Sequence, residues 1–283
     1  MNPSFSANPL TDLHQLLAYP FMVNALQAGT IVAVIAALVG WFVVLRRESF
    51  VCHTLSVMSF PGASGAALVG LPLASGYFVF AVGGALAIAF GSRVRARRSL
   101  AQESAVVGTV GAVALALGYL FLSLYGGILE SLETLLFGSF VGITRGQVQT
   151  LLIVAIVAAA VLAAVGRPLF YASVDERAAR ADGVPVRALS VVFLILLALA
   201  VAAIAQIVGV LLTFALLVAP AATAQLLTTR LRLSLALAVA LAVAETWAAL
   251  TVSYFTNVAM GFAVTTIALA IYACARGARK LRG

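Results

Sequence analysis

Apolar residues run through this chain in long unbroken blocks, separated by short clusters of charge, Gly and Pro. Blocks bounded in this way cover residues 21–45, 50–70, 77–92, 104–125, 147–166, 188–207, 209–229, 233–252 and 261–275. About 20 apolar residues in a helix cross a hydrocarbon core of about 30 Å, so the pattern predicts about eight or nine transmembrane helices. A membrane barrel would instead alternate polar and apolar positions over strands of about ten residues. The Ala-, Leu- and Val-rich blocks are continuous, so helices that satisfy their own backbone are expected. The fold class is therefore an all-α polytopic membrane bundle, with residues 21–275 as a single transmembrane domain.

Three stretches break the pattern. Residues 1–20, with Pro3, Pro9, Asp12, His14 and Pro20, read as a lead-in outside the membrane. They carry no Lys or Arg, so the first span rather than a removable signal peptide is expected to direct insertion. Residues 126–146 hold Glu130 and Glu133 and then a run too short to cross, which predicts an external loop followed by a re-entrant or interfacial segment. Residues 167–187 form the longest polar island.

Composition agrees with a membrane protein: of 283 residues 64% are hydrophobic and 9% charged, and mean hydropathy is +1.15. The net charge of +8 raises the question of nucleic acid, and the placement of the basic residues answers it. With the N-terminus outside, Arg46, Arg47, Arg93, Arg95, Arg97, Arg98, Arg167, Arg177, Arg180, Arg187, Arg230, Arg232, Arg276, Arg279, Lys280 and Arg282 fall in cytoplasmic connections. These are 16 of the 17 basic residues, leaving Arg145 outside, the bias of the positive-inside rule. The charge is topogenic, no basic cluster interleaves with aromatics as a nucleic-acid groove requires, and residues 276–283 read as a basic cytoplasmic tail. The expected location is a bacterial-type inner membrane. Cys52 and Cys274 are too far apart for a zinc knuckle, and their position argues against a disulfide.

The polar island, "LFYASVDERAARADGVPVRALS" at residues 169–190, reads as a short helix over about 173–183. Ser173 is placed to cap it with Glu176 three residues later, Asp175 and Glu176 suit its positive end, Gly183 permits a left-handed exit and Pro185 prevents continuation. Such a helix is either a solvated loop or a docking element for a partner. The chain itself holds no P-loop, because its single lysine, Lys280, is followed by Leu281 rather than a hydroxyl residue. It is not expected to be an enzyme, and ATP, if used, must be bound by another subunit.

The motifs together carry a family resemblance. "RRESFVCHTLSVMSFPGASGAALVG", "LLFGS" at 135–139, the island with Asp175, Ala179, Ala181, Gly183 and Pro185, and "LLTFALLVAPAATAQLLTTRL" at 211–231 occur in the order found in permease subunits of zinc/manganese ABC importers, the ABC type 3 transporter family. The resemblance covers residues 21–275. It implies a homodimeric permease that takes metal from an extracytoplasmic binding protein and docks Asp175, Glu176, Ala179, Ala181, Gly183 and Pro185 against an ATP-binding subunit. The family's second span carries an Asp and, four residues later, a His that hold the metal. On alignment of "LS" and "PG", those places fall to His53 and Val57. A pair of His53 side chains from two copies is one reading, giving a weak nitrogen-donor transit contact; a neutral interfacial histidine bonded to a carbonyl is the other. Asn257, in "TNVAMG", stands where the family more often has an acidic residue before a Pro-small-Gly turn.

Further polar residues fall within the spans. Glu245 lies near mid-membrane in the eighth, where a charge costs about 3 kcal/mol unless paired, protonated or hydrated. It is either a working group or a neutral one bonded to a neighbouring helix. Gln206, Thr265 and Thr266 are expected to make interhelical hydrogen bonds, and Cys52, about 100° around the helix from His53, to pack. Pro61, Gly62 and Pro220 are expected to bend helices along the transport path. Residues 80–91 and 106–118 offer small faces for close helix approach. The leading expectation is an ATP-driven metal importer; the alternatives are an importer of a metal chelate, a secondary transporter driven through Glu245, and a purely structural subunit.

Overall fold

The computed structural model describes residues 19–95, 100–126, 134–140, 142–256 and 258–282, and these form helices with no strand among them. In chain order they are α1 Pro20–Leu45, α2 Ser49–Leu68, α3 Leu73–Arg95, α4 Leu100–Tyr125, α5 Arg145–Val174, α6 Glu176–Ala181, α7 Val186–Val208, α8 Thr213–Leu227, α9 Leu231–Thr256 and α10 Met260–Arg282. Seven are long and apolar enough to cross a membrane: α1, α3, α4, α5, α7, α9 and α10. The other two long helices are α2, which carries His53 and several hydroxyls, and α8, which has 15 residues. Each predicted span meets one helix. The lead-in over residues 1–18, Glu130, Glu133 and Asn257 lie outside the described residues.

Helix ends depart from the sequence reading in both directions: α2 and α8 stop short of their apolar blocks, whereas α5 and α10 run past theirs. α5 does not stop at Arg167; it continues through Pro168 to Val174, 30 residues, about 45 Å at 1.5 Å per residue. α10 runs on through Arg276 and Lys280, so the described part of the basic tail is helical. The α10 extension is polar, whereas that of α5 carries Leu169 and Ala172, both buried, and Phe170 against Trp41, so packing holds it in the helix past Arg167. At its start α5 has a capping box that the sequence carries as Thr-x-x-Gln: Thr144 Oγ1 accepts from the Gln147 N–H at 3.2 Å and Gln147 Oε1 accepts from the Thr144 N–H at 3.0 Å.

α1 and α7 are the centre of the bundle. α1 packs on α5, α7, α8 and α9, and α7 on α1, α3, α5 and α2. Both are buried over most of their length, from Ala25 to Val43 and from Phe193 to Val208. The apolar side chains that fill this centre are mostly Ala, Val and Leu, and polar bonds tie the helices across it. Trp41 Nε1 donates to Ser234 Oγ at 2.9 Å, Gln225 Nε2 to the Trp41 carbonyl at 2.8 Å, and Asn24 Nδ2 to the Ile143 carbonyl at 3.1 Å. Gln206 and Thr265, expected to bond between helices, instead donate to the carbonyls of Ala202 and Gly261, four residues back in their own helices. A flexible amide or hydroxyl has that local acceptor always in reach.

Two interruptions shape the interior. α2 and α3 cross at Gly62 and Gly76, whose backbones touch because neither has a Cβ. Between α7 and α8 the chain turns at Gly209–Leu212, and Gly209 and Val210 are buried. Irregular backbone in that position must find partners within the protein. The N–H groups of Val210 and Leu211 donate to the carbonyls of Leu135 and Leu136, each at 3.2 Å, and Ser56 Oγ of α2 donates to the Val210 carbonyl. The acceptors belong to a helical turn at 134–137 with Leu135 and Leu136 buried. This is the described part of the segment expected to be re-entrant, and it docks on the α7–α8 turn. Gly138 and Gly209 have φ of +79° and +87°, and a Cβ on either would lie within 2.4 Å of the other segment's backbone.

Candidate functional site

His53 sits in the second turn of α2. Most of the helix from Val51 to Ala66 is buried, but His53 and Phe50 are exposed. Residues three apart share a helix face, so an imidazole and a phenyl ring stand together on the uncovered side. The His53 ring meets Phe214 of α8 edge-on, with centroids 5.9 Å apart at 86°. Val57, one turn further, is buried at 2% exposure and offers no donor. Cys52 is fully buried and free, and packs as expected; Cys274 is free and exposed. Two turns beyond His53, Pro61 and Gly62 lie buried inside α2, with Gly62 at the crossing with α3. Pro220 is likewise buried within α8.

Glu245 is on a different helix. It is fully buried on the face of α9 that also holds Ala242, Thr246 and Ala249, and Thr246 and Leu250 reach Gly29 of α1. Neither carboxylate oxygen has a hydrogen-bond partner among the described residues, so the expected bond to a neighbouring helix is not found among them. α1 and α8, both packed on α9, carry no charged residue, and the charges of α10 begin at Arg276. Among the described residues no three His, Cys, Asp or Glu side chains converge, and the candidates within the spans are one imidazole on α2 and one carboxylate on α9.

The island residues come together between α5 and α7. α6 is a six-residue helix with Ala179 fully buried and Glu176, Arg177 and Arg180 exposed. Its cap is Asp175, not Ser173: Asp175 Oδ1 accepts from the N–H groups of Arg177 and Ala178 at 3.0 and 2.9 Å. Because α5 runs through Pro168, Ser173 falls in its last turn and donates to the Leu169 carbonyl at 2.5 Å. Glu176 pairs with Arg180 one turn on. Gly183 has φ of +80° and leads the chain out left-handed, and Pro185 is the residue before α7. Tyr171 Oη donates to Asp182 Oδ2 at 2.6 Å, tying both ends of α6 to α5.

The sequence reading counted Arg46 only as a topogenic charge, and the structure gives it partners. From the end of α1 its guanidinium reaches Glu48 Oε1 from Nε at 3.0 Å and from Nη2 at 2.8 Å. Nη2 also donates to Ser190 Oγ of α7 at 3.1 Å, and Nη1 to Ser173 Oγ of α5 at a longer 3.4 Å. Cζ lies 5.0 Å from the centre of the Phe193 ring. The following residue, Arg47, has φ of +57°, a left-handed turn that carries the chain from α1 into α2.

The model of a family described as the ABC 3 transport family matches residues 18–277. The manganese transport system membrane protein MntC of Halalkalibacterium halodurans is 30% identical over 261 residues, 92% of this chain and 88% of its own. The chelated iron transport system membrane protein YfeD of Yersinia pestis is 31% identical over 203 residues, 72% of this chain and 67% of its own. Among solved structures, PsaBC from Streptococcus pneumoniae in complex with Fab matches with a TM-score of 0.85 at 25% identity, covering 94% of each chain.

Proposed function

This chain belongs to the ABC 3 transport family, and on that premise we propose that it is the membrane permease subunit of an ATP-driven importer of divalent transition-metal ions, zinc or manganese. The observation that carries the reading is α6: a capped helix, tied to α5 and exposing Glu176, Arg177 and Arg180, set between two long helices. Asp175, Glu176 and Ala181 form the surface and Gly183 and Pro185 the bends that present it to an ATP-binding subunit, while Ala179, which the resemblance also implicates, is buried beneath and anchors the helix. In this reading the N-terminus is outside and the C-terminus cytoplasmic. An extracytoplasmic binding protein delivers the ion, and two copies of the permease rock about a shared path as the ATP-binding subunits close. Pro61 and Gly62 fix the bend and close packing of α2 along that path; Glu245 supplies a carboxylate, and Asn257 a polar group where the family more often places an acid.

His53 sets the selectivity expected of this path. An imidazole suits zinc or iron, whereas carboxylate and carbonyl oxygens suit manganese. Two exposed His53 side chains meeting across the pair would therefore hold zinc better than manganese, although MntC is named for manganese. A second reading, import of a metal chelate, is favoured by the absence of a cluster of metal ligands among the described residues and by a relative named for chelated iron. A cargo that keeps its own ligands needs few from the protein.

The test is reconstitution in vesicles with the ATP-binding and binding-protein subunits, measuring uptake of labelled zinc and manganese. ATP-dependent uptake of the bare ion is expected, reduced in His53→Ala and in Glu245→Gln while the complex still assembles. Uptake that needs no ATP and follows an ion gradient would overturn the importer reading. Uptake only of a chelated metal would select the second.

A further inference from the structure

We infer that Arg46 is a positioning residue for transport: it fixes the α1–α2 hairpin, which carries His53, to the helices flanking α6, so that a displacement of α6 is delivered to α2. The inference rests on the permease reading above and concerns a residue that this reading does not use. An arginine that serves only to orient a chain in the membrane needs water around it and no particular geometry. Arg46 has the opposite surroundings. Its side chain is 11% exposed and that of Glu48 22%, and its donors are divided among three segments: Glu48 in the α1–α2 turn, Ser173 in the last turn of α5, and Ser190 near the start of α7.

α6 is short and cannot move alone. Ala179 is fully buried, Tyr171 holds Asp182, and Asp175 both ends α5 and caps α6. α5, α6 and the start of α7 therefore form one unit. This unit also touches α1 through apolar rings, with Trp41 stacked on Phe170 at 6.1 Å and Phe42 tilted against Phe193 at 6.3 Å. The apolar burial in these ring contacts is non-directional, and their preferred geometries are soft enough to allow small sliding. A planar guanidinium with donors in a fixed fork does not allow it, and a lysine has no such fork. Ser190 and the Phe193 face, both on α7, make the stronger side of the tie; the bond to Ser173 is long. Leu45, Arg46 and Arg47 lead into α2 within four residues, and His53 follows one turn after its first residue.

The experiment measures ATP hydrolysis and metal uptake in the same vesicles, with the permease, the ATP-binding subunit and the binding protein present. Arg46→Lys keeps the charge and the topology and removes the fork. Hydrolysis is expected to stay near the wild-type rate while uptake per ATP falls about tenfold, in the range of a coupling free energy between two sites. Ser173→Ala combined with Ser190→Ala leaves the Arg46–Glu48 pair in place and is expected to lower the same ratio by a smaller factor; it decides the matter if Arg46→Lys fails to assemble. An unchanged ratio in the assembled variants overturns the inference. So does a proportional fall of uptake and hydrolysis, which marks a residue needed only for the fold. A wild-type complex that does not couple ATP to uptake overturns the permease reading itself.

Discussion

Gly62 and Gly76 show how little room the bundle leaves at single residues. A Cβ on Gly62 would lie 2.3 Å from the Gly76 carbonyl oxygen, and one on Gly76 2.0 Å from that of Gly62. Neither neighbour is a side chain that can rotate away. Gly62→Ala therefore has to part α2 from α3, and overpacking of this kind costs about 1–3 kcal/mol. Gly83, also on α3, has nothing within 4 Å of the same position. Gly83→Ala exchanges a poor helix former for the best one at no steric cost, a gain of up to about 1 kcal/mol. Thermal unfolding of the detergent-solubilised protein is expected to shift down for the first and to stay level or rise for the second. Equal midpoints for the two variants would show that the crossing is looser than its backbone distances imply. The proline expected to bend α2 thus stands beside a packing contact made by Gly62.

At the scale of elements, α6 depends on one side chain for its first turn. A six-residue helix has little internal hydrogen bonding to lose, and its opening N–H groups need an acceptor. Asp175 gives two of them one oxygen. Asp175→Ala removes a cap worth about 1 kcal/mol, small against a whole bundle but large against one turn of helix. The global unfolding midpoint is expected to change little, binding of the ATP-binding subunit in a pull-down to weaken, and Asp175→Asn to restore it. Full binding by Asp175→Ala would mean that α6 does not need its cap to dock. The existence of this helix and its exit at Gly183 were legible in the sequence, because a polar island with Gly and Pro at its end has few other ways to fold. Its cap was not, because the choice between Ser173 and Asp175 turned on whether Pro168 ends α5. The apolar blocks likewise located the nine long helices of the described residues but not the 30-residue length of α5, since Arg167 and Pro168 read as a stop that the packing of Leu169, Phe170 and Ala172 overrides. The tie at Arg46 joins residues 127 and 144 positions apart, a separation that no local spacing reveals. His53 and Glu245 stood out as polar residues within apolar runs, and the structure adds that one is uncovered and the other without a hydrogen bond among the described residues.

For the whole molecule the open question is what covers α2 at His53. A helix buried nearly throughout exposes one imidazole and one phenyl ring on the same face, with Phe50 at 63% exposure. In lipid that face carries a polar group at a cost, and a second copy would remove it by bringing the two imidazoles together. Such a pairing also supplies the second nitrogen that one chain lacks. It predicts that His53→Cys, with Cys274→Ser to remove the exposed thiol and Cys52 left buried, forms a disulfide-linked dimer in vesicles under mild oxidation. Chance collisions between monomers give a yield that falls as lipid dilutes the protein, whereas a resident pair gives one that does not. A constant yield on dilution is therefore the expected outcome, with zinc transport lost in the same variant. A yield that falls in step with dilution would leave His53 as an interfacial histidine of a single chain, and the nitrogen-donor path would have no second ligand.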